Sequence, residues 1–298
     1  MAESKELLRD SAFALLAVML WGLAFPLIQD GLESFGPVTL GFLRFVLASA
    51  VLMGFVLWRY SLRDIKNTVA GEWKPLLALG LLYVTIPNIA QNVALENGTS
   101  SIASVIQSSG PMMTLVFAVM LLKERFTTMK GIGTIIAMCG TILLVMSGGV
   151  SLGNEDFVSN VLILISAGTY GLAWVTAKRM LERNQPMLVI GLSIAIGTLF
   201  LGLIAPLEEN GVSNVSAESL VNLGVLGIFC AGVSSVFYLR SLEKQEVSRM
   251  AFLIYLMPVF ASLFAWLLRG EEVETWTAVC GVIIAVGIVV ANRNNAGK

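Results

Sequence analysis

Ten apolar stretches divide this sequence, near residues 11–30, 37–58, 75–95, 101–122, 130–147, 157–178, 187–207, 217–241, 248–268 and 276–292. Each is about 17–25 residues long, the length of helix that crosses a bilayer. Short polar connections such as Glu96-Asn97-Gly98-Thr99 and Glu243-Lys244-Gln245-Glu246 separate many of them, so consecutive helices run antiparallel. A longer loop, at 61–70, precedes the third helix. Charged residues make up 13% of the chain and hydrophobic ones 56%, whereas a soluble surface needs about 25% charge. The sequence therefore predicts an all-α membrane protein with ten transmembrane helices. Residues Met1 to Asp10 mix Lys5 and Arg9 with Glu3, Glu6 and Asp10. That mixture lacks the plain positive start of a secretory signal, and the first stretch reads as a retained helix.

Basic residues fix the orientation. With the N-terminus inside, seventeen of the nineteen Lys and Arg fall in cytoplasmic segments. The exceptions are Arg269 in an outer loop and Arg44 within a helix. This asymmetry follows the positive-inside rule and places both termini in the cytoplasm, with the chain in the cytoplasmic membrane. Losing or adding one span would scramble the alternation.

The chain also repeats itself. Glu243, Pro258 and Glu271 lie 147 residues after Glu96, Pro111 and Glu124, each set in an Ala-Leu-Glu or Ser-Leu-Glu … Pro … Glu hairpin. An offset near half of 298 residues marks two copies of one unit, predicted as 1–149 and 150–298. Five helices per copy is an odd number, so the second copy enters the membrane inverted. Inverted five-helix repeats are an architecture of secondary transporters, in which two similar halves exchange packings to give alternating access. A channel-like pore for small solutes is the alternative reading.

Trp21-Gly22-Leu23-Ala24-Phe25-Pro26 resembles the W-G-x-x-F opening of the EamA-type branch of the drug/metabolite transporter superfamily. Leu43-Arg44-Phe45 looks like that family's arginine in the second helix, and the repeated hairpin is similar to its fourth and ninth helices. The resemblance implies a ten-helix, five-plus-five inverted-repeat carrier, usually an exporter of amino acids or related metabolites. It also implies a central cavity lined mainly by the first, third, fourth, sixth, eighth and ninth helices, with the fifth and tenth peripheral. The chain departs from the pattern at Lys123, where a glycine commonly precedes the glutamate, and at Tyr170-Gly171, where Trp-Gly is usual.

Arg44 is the one charged side chain well inside a predicted span, about 12 Å from its outer end at helical rise. A buried guanidinium faces a cavity or a partner. It reads as a clamp for a substrate carboxylate or as a structural tie between helices. The third helix offers Tyr83, Asn88, Gln91 and Asn92 beside Pro87; the three amides share one helix face, as i, i+3, i+4 spacing requires. Gln107 and Ser108 follow on the fourth helix. Such amides line a wet cavity or bond neighbouring helices. Trp21, Tyr170, Trp174, Ser234, Tyr238 and Tyr255 add aromatic and hydroxyl surface, whereas Trp58, Trp73 and Trp276 sit at helix ends and suit an interfacial belt. Pro26, Pro111 and Pro258 lie within helices as hinges or static bends. Glu124 and Glu271 sit at helix boundaries, where each stabilises the N-terminus of the helix that follows. Glycines 131, 133, 140, 281 and 287 let the fifth and tenth helices pack closely, and leave monomer or homodimer open.

The absences narrow the function. Cys139, Cys230 and Cys280 are scattered in apolar runs, which fits neither a disulfide framework nor a metal site. There is no histidine, no Walker motif and no H-E-x-x-H, so the chain reads as a non-enzyme without cofactor or metal. A net charge of −1 points to no nucleic acid. No Asp, Glu, Lys or His lies deep in a span, which disfavours multivalent cations and proton coupling. The sequence thus predicts a carrier in the lipid bilayer for small zwitterions or weak anions with an apolar part. Amino acids are the first expectation, moved outward and downhill.

Overall fold

The computed structural model describes residues 2–97, 106–107, 109–147, 157–209, 211–269 and 275–293. Within them ten helical spans follow one another. α1 is Ala2–Leu32 and α2 is Pro37–Arg59. α3 begins as Leu62–Gly80, passes through a π-helical segment at Leu81–Thr85, and continues as Ile86–Asn97. α4 is Gly110–Leu122, α5 is Thr128–Ser147, α6 is Phe157–Leu181 and α7 is Pro186–Ile204. α8 runs Ala217–Val225, is π-helical over Leu226–Val233, and ends as Ser234–Leu242. α9 starts as Val247–Ala251, tightens to a 3-10 segment at Phe252–Leu256 and resumes as Met257–Arg269, before α10 at Thr275–Asn292. Seven spans are long and apolar enough to cross a membrane over their described residues, while α4, α5 and α10 are shorter.

The expected loop at 61–70 is helical instead. Ser61 and Asp64 form a capping box that starts α3 at Leu62, ahead of the membrane. The backbone then breaks at Glu72 (φ −126°, ψ 22°), which separates this polar turn of helix from the span proper.

Packing between the halves obeys the inverted repeat. α1 packs on α8 and α9, just as α6 packs on α3 and α4. α2 crosses the π-helical part of α8, just as α7 crosses that of α3. α2 meets α7, and α5 meets α10. Adding five to each helix number turns each of these contacts into another or into itself, the signature of a pseudo-two-fold axis in the membrane plane. Gly80 and Gly227, 147 residues apart, sit at the two equivalent crossings. A Cβ on Gly80 would lie 2.9 Å from the Ser193 carbonyl oxygen, and one on Gly227 would lie 2.7 Å from that of Arg44. Only glycine lets the backbones approach this closely.

The glycine faces of α5 and α10 are spent on each other. A Cβ on Gly133 would be 2.3 Å from the Ala291 nitrogen, and one on Gly287 would be 2.4 Å from that of Ala137. These faces are therefore covered within one chain rather than presented to a second copy. Of the expected bends, Pro26 lies deep in α1 and Pro258 near the middle of α9. Pro111 occupies the first turn of α4, and Pro258 opens the stretch after the 3-10 segment of α9. A proline in a first turn costs little, because its missing N–H has no partner to lose.

Candidate functional site: a cavity between the halves

A cavity with about 750 Å³ of empty space, its open mouth included, lies where the two halves meet. Its walls come from α1, α2, α3 and α4 of the first half and α6, α8 and α9 of the second. Most lining residues fall in the half of the bundle away from the termini, for example Ile28, Arg44, Gln91 and Gln107. The half nearer the termini is filled. Ala14, Ala17, Ala118, Ala177, Leu242, Val247 and Met250 are no more than 1% exposed and belong to one packed core.

Aromatic rings make the cavity floor. Trp21 and Trp174 stack with centroids 5.6 Å apart, and both lean on Tyr238, at 5.0 and 4.5 Å. Tyr83 lies 4.8 Å from Trp174 and 5.8 Å from Tyr170. Trp21, Tyr83, Tyr170 and Trp174 face the cavity, whereas Tyr238 is fully buried behind them. The Tyr83 and Ser235 hydroxyls share a hydrogen bond of 2.5 Å across the halves. Trp21 is seated so deeply because Gly22 lets α1 touch α9, where a Cβ would stand 2.6 Å from that of Phe260.

Arg44 is 8% exposed and lines the cavity. Its Nη2 donates to Asn88 Oδ1, its guanidinium lies 4.8 Å from the Phe45 ring centroid, and its Nε has no hydrogen-bond partner among the described residues. Asn88 is fixed in turn by a defect in its own helix. Pro87 cannot donate to the Tyr83 carbonyl one turn back. Asn88 Nδ2 fills the gap, donating to the Val84 oxygen at 2.7 Å and the Tyr83 oxygen at 3.3 Å. One amide thus repairs α3 with its nitrogen and holds Arg44 with its oxygen.

The three amides expected on one wet face divide. Gln91 lines the cavity, Asn88 serves Arg44, and Asn92 Nδ2 donates to the Pro37 oxygen at 2.8 Å, tying α3 to the start of α2. Gln107 lines the cavity with its Oε1 unpartnered among the described residues. Ser108 lies outside the described residues. Ser234 and Tyr255 point away from the cavity. The Ser234 hydroxyl bonds the Cys230 oxygen at 2.5 Å, and Tyr255 packs in the core beneath α5 and α10. Pro111 is on the wall, with Phe25, Thr114, Cys230, Ile254 and Met257. Apolar residues among apolar neighbours give no signal in the sequence, although Phe25 follows Trp21 by one helical turn. Trp58, Trp73 and Trp276 are exposed at helix ends.

A polar latch closes the side nearer the termini. Glu124 does not serve the helix that follows it. Lys123 ends α4 in the left-handed conformation (φ 57°), and Glu124 caps α9 of the other half. Its carboxylate accepts from the Val247 N–H at 2.7 Å, the Ser248 N–H at 3.3 Å and the Ser248 hydroxyl. Lys130, 1% exposed, bonds Glu246 at 2.8 Å and the Ser248 hydroxyl at 2.9 Å, and stands 3.8 Å from Glu124. Lys178 donates to the carbonyls of Leu242 and Gln245 at 2.6 and 2.7 Å. On the opposite face Glu208 plays a similar part, capping α2 through the N–H groups of Val38 and Thr39 at 3.0 and 2.8 Å.

Known proteins resemble this arrangement throughout. The EamA-like transporter family matches the chain twice, over residues 11–146 and 158–293. An uncharacterized transporter of Archaeoglobus fulgidus is 26% identical over 277 residues, covering 92% of this chain and 93% of its own length. A protein of Streptantibioticus cattleyicolor named "Probable terminal-alkyne amino-acid exporter" is 23% identical over 288 residues, covering 95% of this chain and 93% of its own. A solved crystal structure at 18% identity superposes with a TM-score of 0.81 over 97% of this chain and 99% of that one, a likeness of fold.

Proposed function

Because the chain belongs to the EamA-like transporter family, and is thus a membrane transporter of small molecules, we propose that it is an alternating-access carrier. Its cargo is small organic metabolites, amino acids or related compounds, and it moves them outward across the cytoplasmic membrane. The observation that carries this reading is the cavity itself. Both halves wall it, and below it the bundle is packed and latched. A continuous pore would leave that lower half open. Here the polar latch joins α4 and α5 of one half to α9 of the other, so opening that side requires the halves to shift. The name of the Streptantibioticus relative supports the amino-acid class. The distribution of basic residues supports cytoplasmic termini, with the cavity toward the outer side. Residues 1–149 and 150–298 are the moving units of this proposal.

The cavity supports downhill movement. Its lining contains no Asp, Glu, Lys or His, and Arg44 does not release its proton in a protein. Glu96 and Glu243 are exposed and off the lining. Counterflow in proteoliposomes tests the reading. Internal unlabelled amino acid should accelerate uptake of the labelled compound, as a carrier requires. Flux that is indifferent to the trans side would establish a pore instead.

A further inference from the structure

We infer that, within the amino-acid-like class, this cavity selects organic anions over zwitterions. Its preferred ligand is a monocarboxylate with an apolar body whose second polar group is neutral, a hydroxyl or an amide N–H, rather than an ammonium. This rests on the carrier reading above and sharpens its substrate.

Charge is the first ground. Arg44 brings one permanent positive charge to the wall, and none of the lining residues is Asp or Glu. No carboxylate lies within ion-pair distance of it among the described residues. Residues 98–105, at the start of the fourth span, contain no acid in the sequence either. A buried guanidinium without a counter-charge is expensive. The ligand that completes it is a carboxylate, which supplies the missing counter-charge to the guanidinium while Nη2 stays on Asn88. An ammonium on the same ligand would be desolvated beside that guanidinium with no anion of its own to meet.

The neutral polar atoms agree. Gln107 is 9% exposed, lines the cavity, and leaves its side-chain oxygen unpartnered among the described residues. That buried oxygen suits one hydroxyl or amide donor. It satisfies only one of the three protons of an ammonium. The aromatic floor could compensate a cation through its ring faces. Trp21 and Trp174, however, are stacked on each other, and Tyr238 leans on both. What they leave to the cavity is apolar surface for a ring or branched chain.

Matched probes decide the matter: 3-phenyllactate, phenylalanine and phenethylamine, which share a ring and differ in charge. Binding to the full chain in nanodiscs, followed by tryptophan fluorescence, should be about tenfold or more tighter for 3-phenyllactate than for phenylalanine, and weakest for phenethylamine. Arg44→Gln should level the first two, and Arg44→Lys should keep part of the preference because the charge remains. If Arg44→Gln fails to fold, the wild-type ratio still decides. Phenylalanine binding as tightly as 3-phenyllactate, phenethylamine binding best, or no probe binding would each overturn the inference. Counterflow of the same probes separates this from the carrier reading. Exchange of both acids with equal affinity would sink the anion preference and leave the carrier standing. Selective binding of 3-phenyllactate without exchange would do the reverse.

Discussion

Glu124→Gln changes one atom and should change which side of the membrane the cavity faces. In the wild-type chain the carboxylate accepts three hydrogen bonds from the start of α9 and stands 3.8 Å from the buried Lys130. The amide keeps the shape and one acceptor oxygen but loses the charge. Hydrogen bonds to a charged group contribute about 1.5–3 kcal/mol, and a negative charge at a helix N-terminus about 0.3–1 kcal/mol, more where partly buried. Retaining one acceptor reduces the sum to roughly 2–3 kcal/mol. Glu124 is 9% exposed, so solvent screening removes little of this. If the latch exists only while the side nearer the termini is closed, the loss shifts the equilibrium about 30- to 150-fold toward the opposite state. A cysteine placed at Phe25, a half-buried residue on the cavity wall, supplies the readout in a background whose three native cysteines are replaced by alanine. A membrane-impermeant methanethiosulfonate applied to sided vesicles should label that cysteine, with Glu124 intact, from the face opposite the termini. Labelling of Glu124→Gln should move to the termini face. A lower melting temperature with unchanged sidedness would refute the reasoning, because Glu124 would then stabilise both states alike.

Three further outcomes follow from the same geometry. Gly80→Ala and Gly227→Ala force a Cβ against opposing backbone at the two equivalent crossings, and each should cost about 1–3 kcal/mol, read as a lower melting temperature in detergent; unchanged melting would mean the crossings are slack. Lys123→Gly relieves a left-handed residue (φ 57°) and should raise stability by up to about 1 kcal/mol in the same assay, whereas a loss would show that the lysine side chain outweighs its backbone strain. An imposed pH gradient should leave counterflow unchanged, in the wild type and in Glu96→Gln and Glu243→Gln alike; uphill accumulation abolished by either substitution would place a carboxylate on the pathway.

The ten spans and the inverted repeat were legible because both rest on polarity and spacing. Charge is confined to the connections, and Glu96, Pro111 and Glu124 are rare residues that recur in register. Arg44, Trp21 and Gln107 could be singled out for the same reason: each is conspicuous in an apolar segment. Direction was harder to read. Asn88 and Asn92 share a helix face with Gln91, yet they turn to α2 because Pro87 leaves a carbonyl to satisfy and α2 begins within reach. Glu124 reaches across the halves because Lys123 bends the chain into the left-handed region, a conformation that its residue type does not announce. The walls at Thr114, Ile254 and Met257 are ordinary core residues in the sequence, and only the packing of seven helices leaves a hollow beside them. The π-helical segments, placed alike in the two halves, had no signature at all.

The double duty of Asn88 makes the guanidinium and the bend in α3 one mechanical part. A ligand pulling on Arg44 pulls on the oxygen of an amide whose nitrogen splints the gap left by Pro87. Straightening or sharpening that bend carries the arginine with it, and tugging the arginine loads the bend. In the proposed carrier, cargo held at Arg44 would therefore reach the helix axis through a single side chain, as a hand on a crank reaches its shaft. Sensing and moving would then need no separate relay between them.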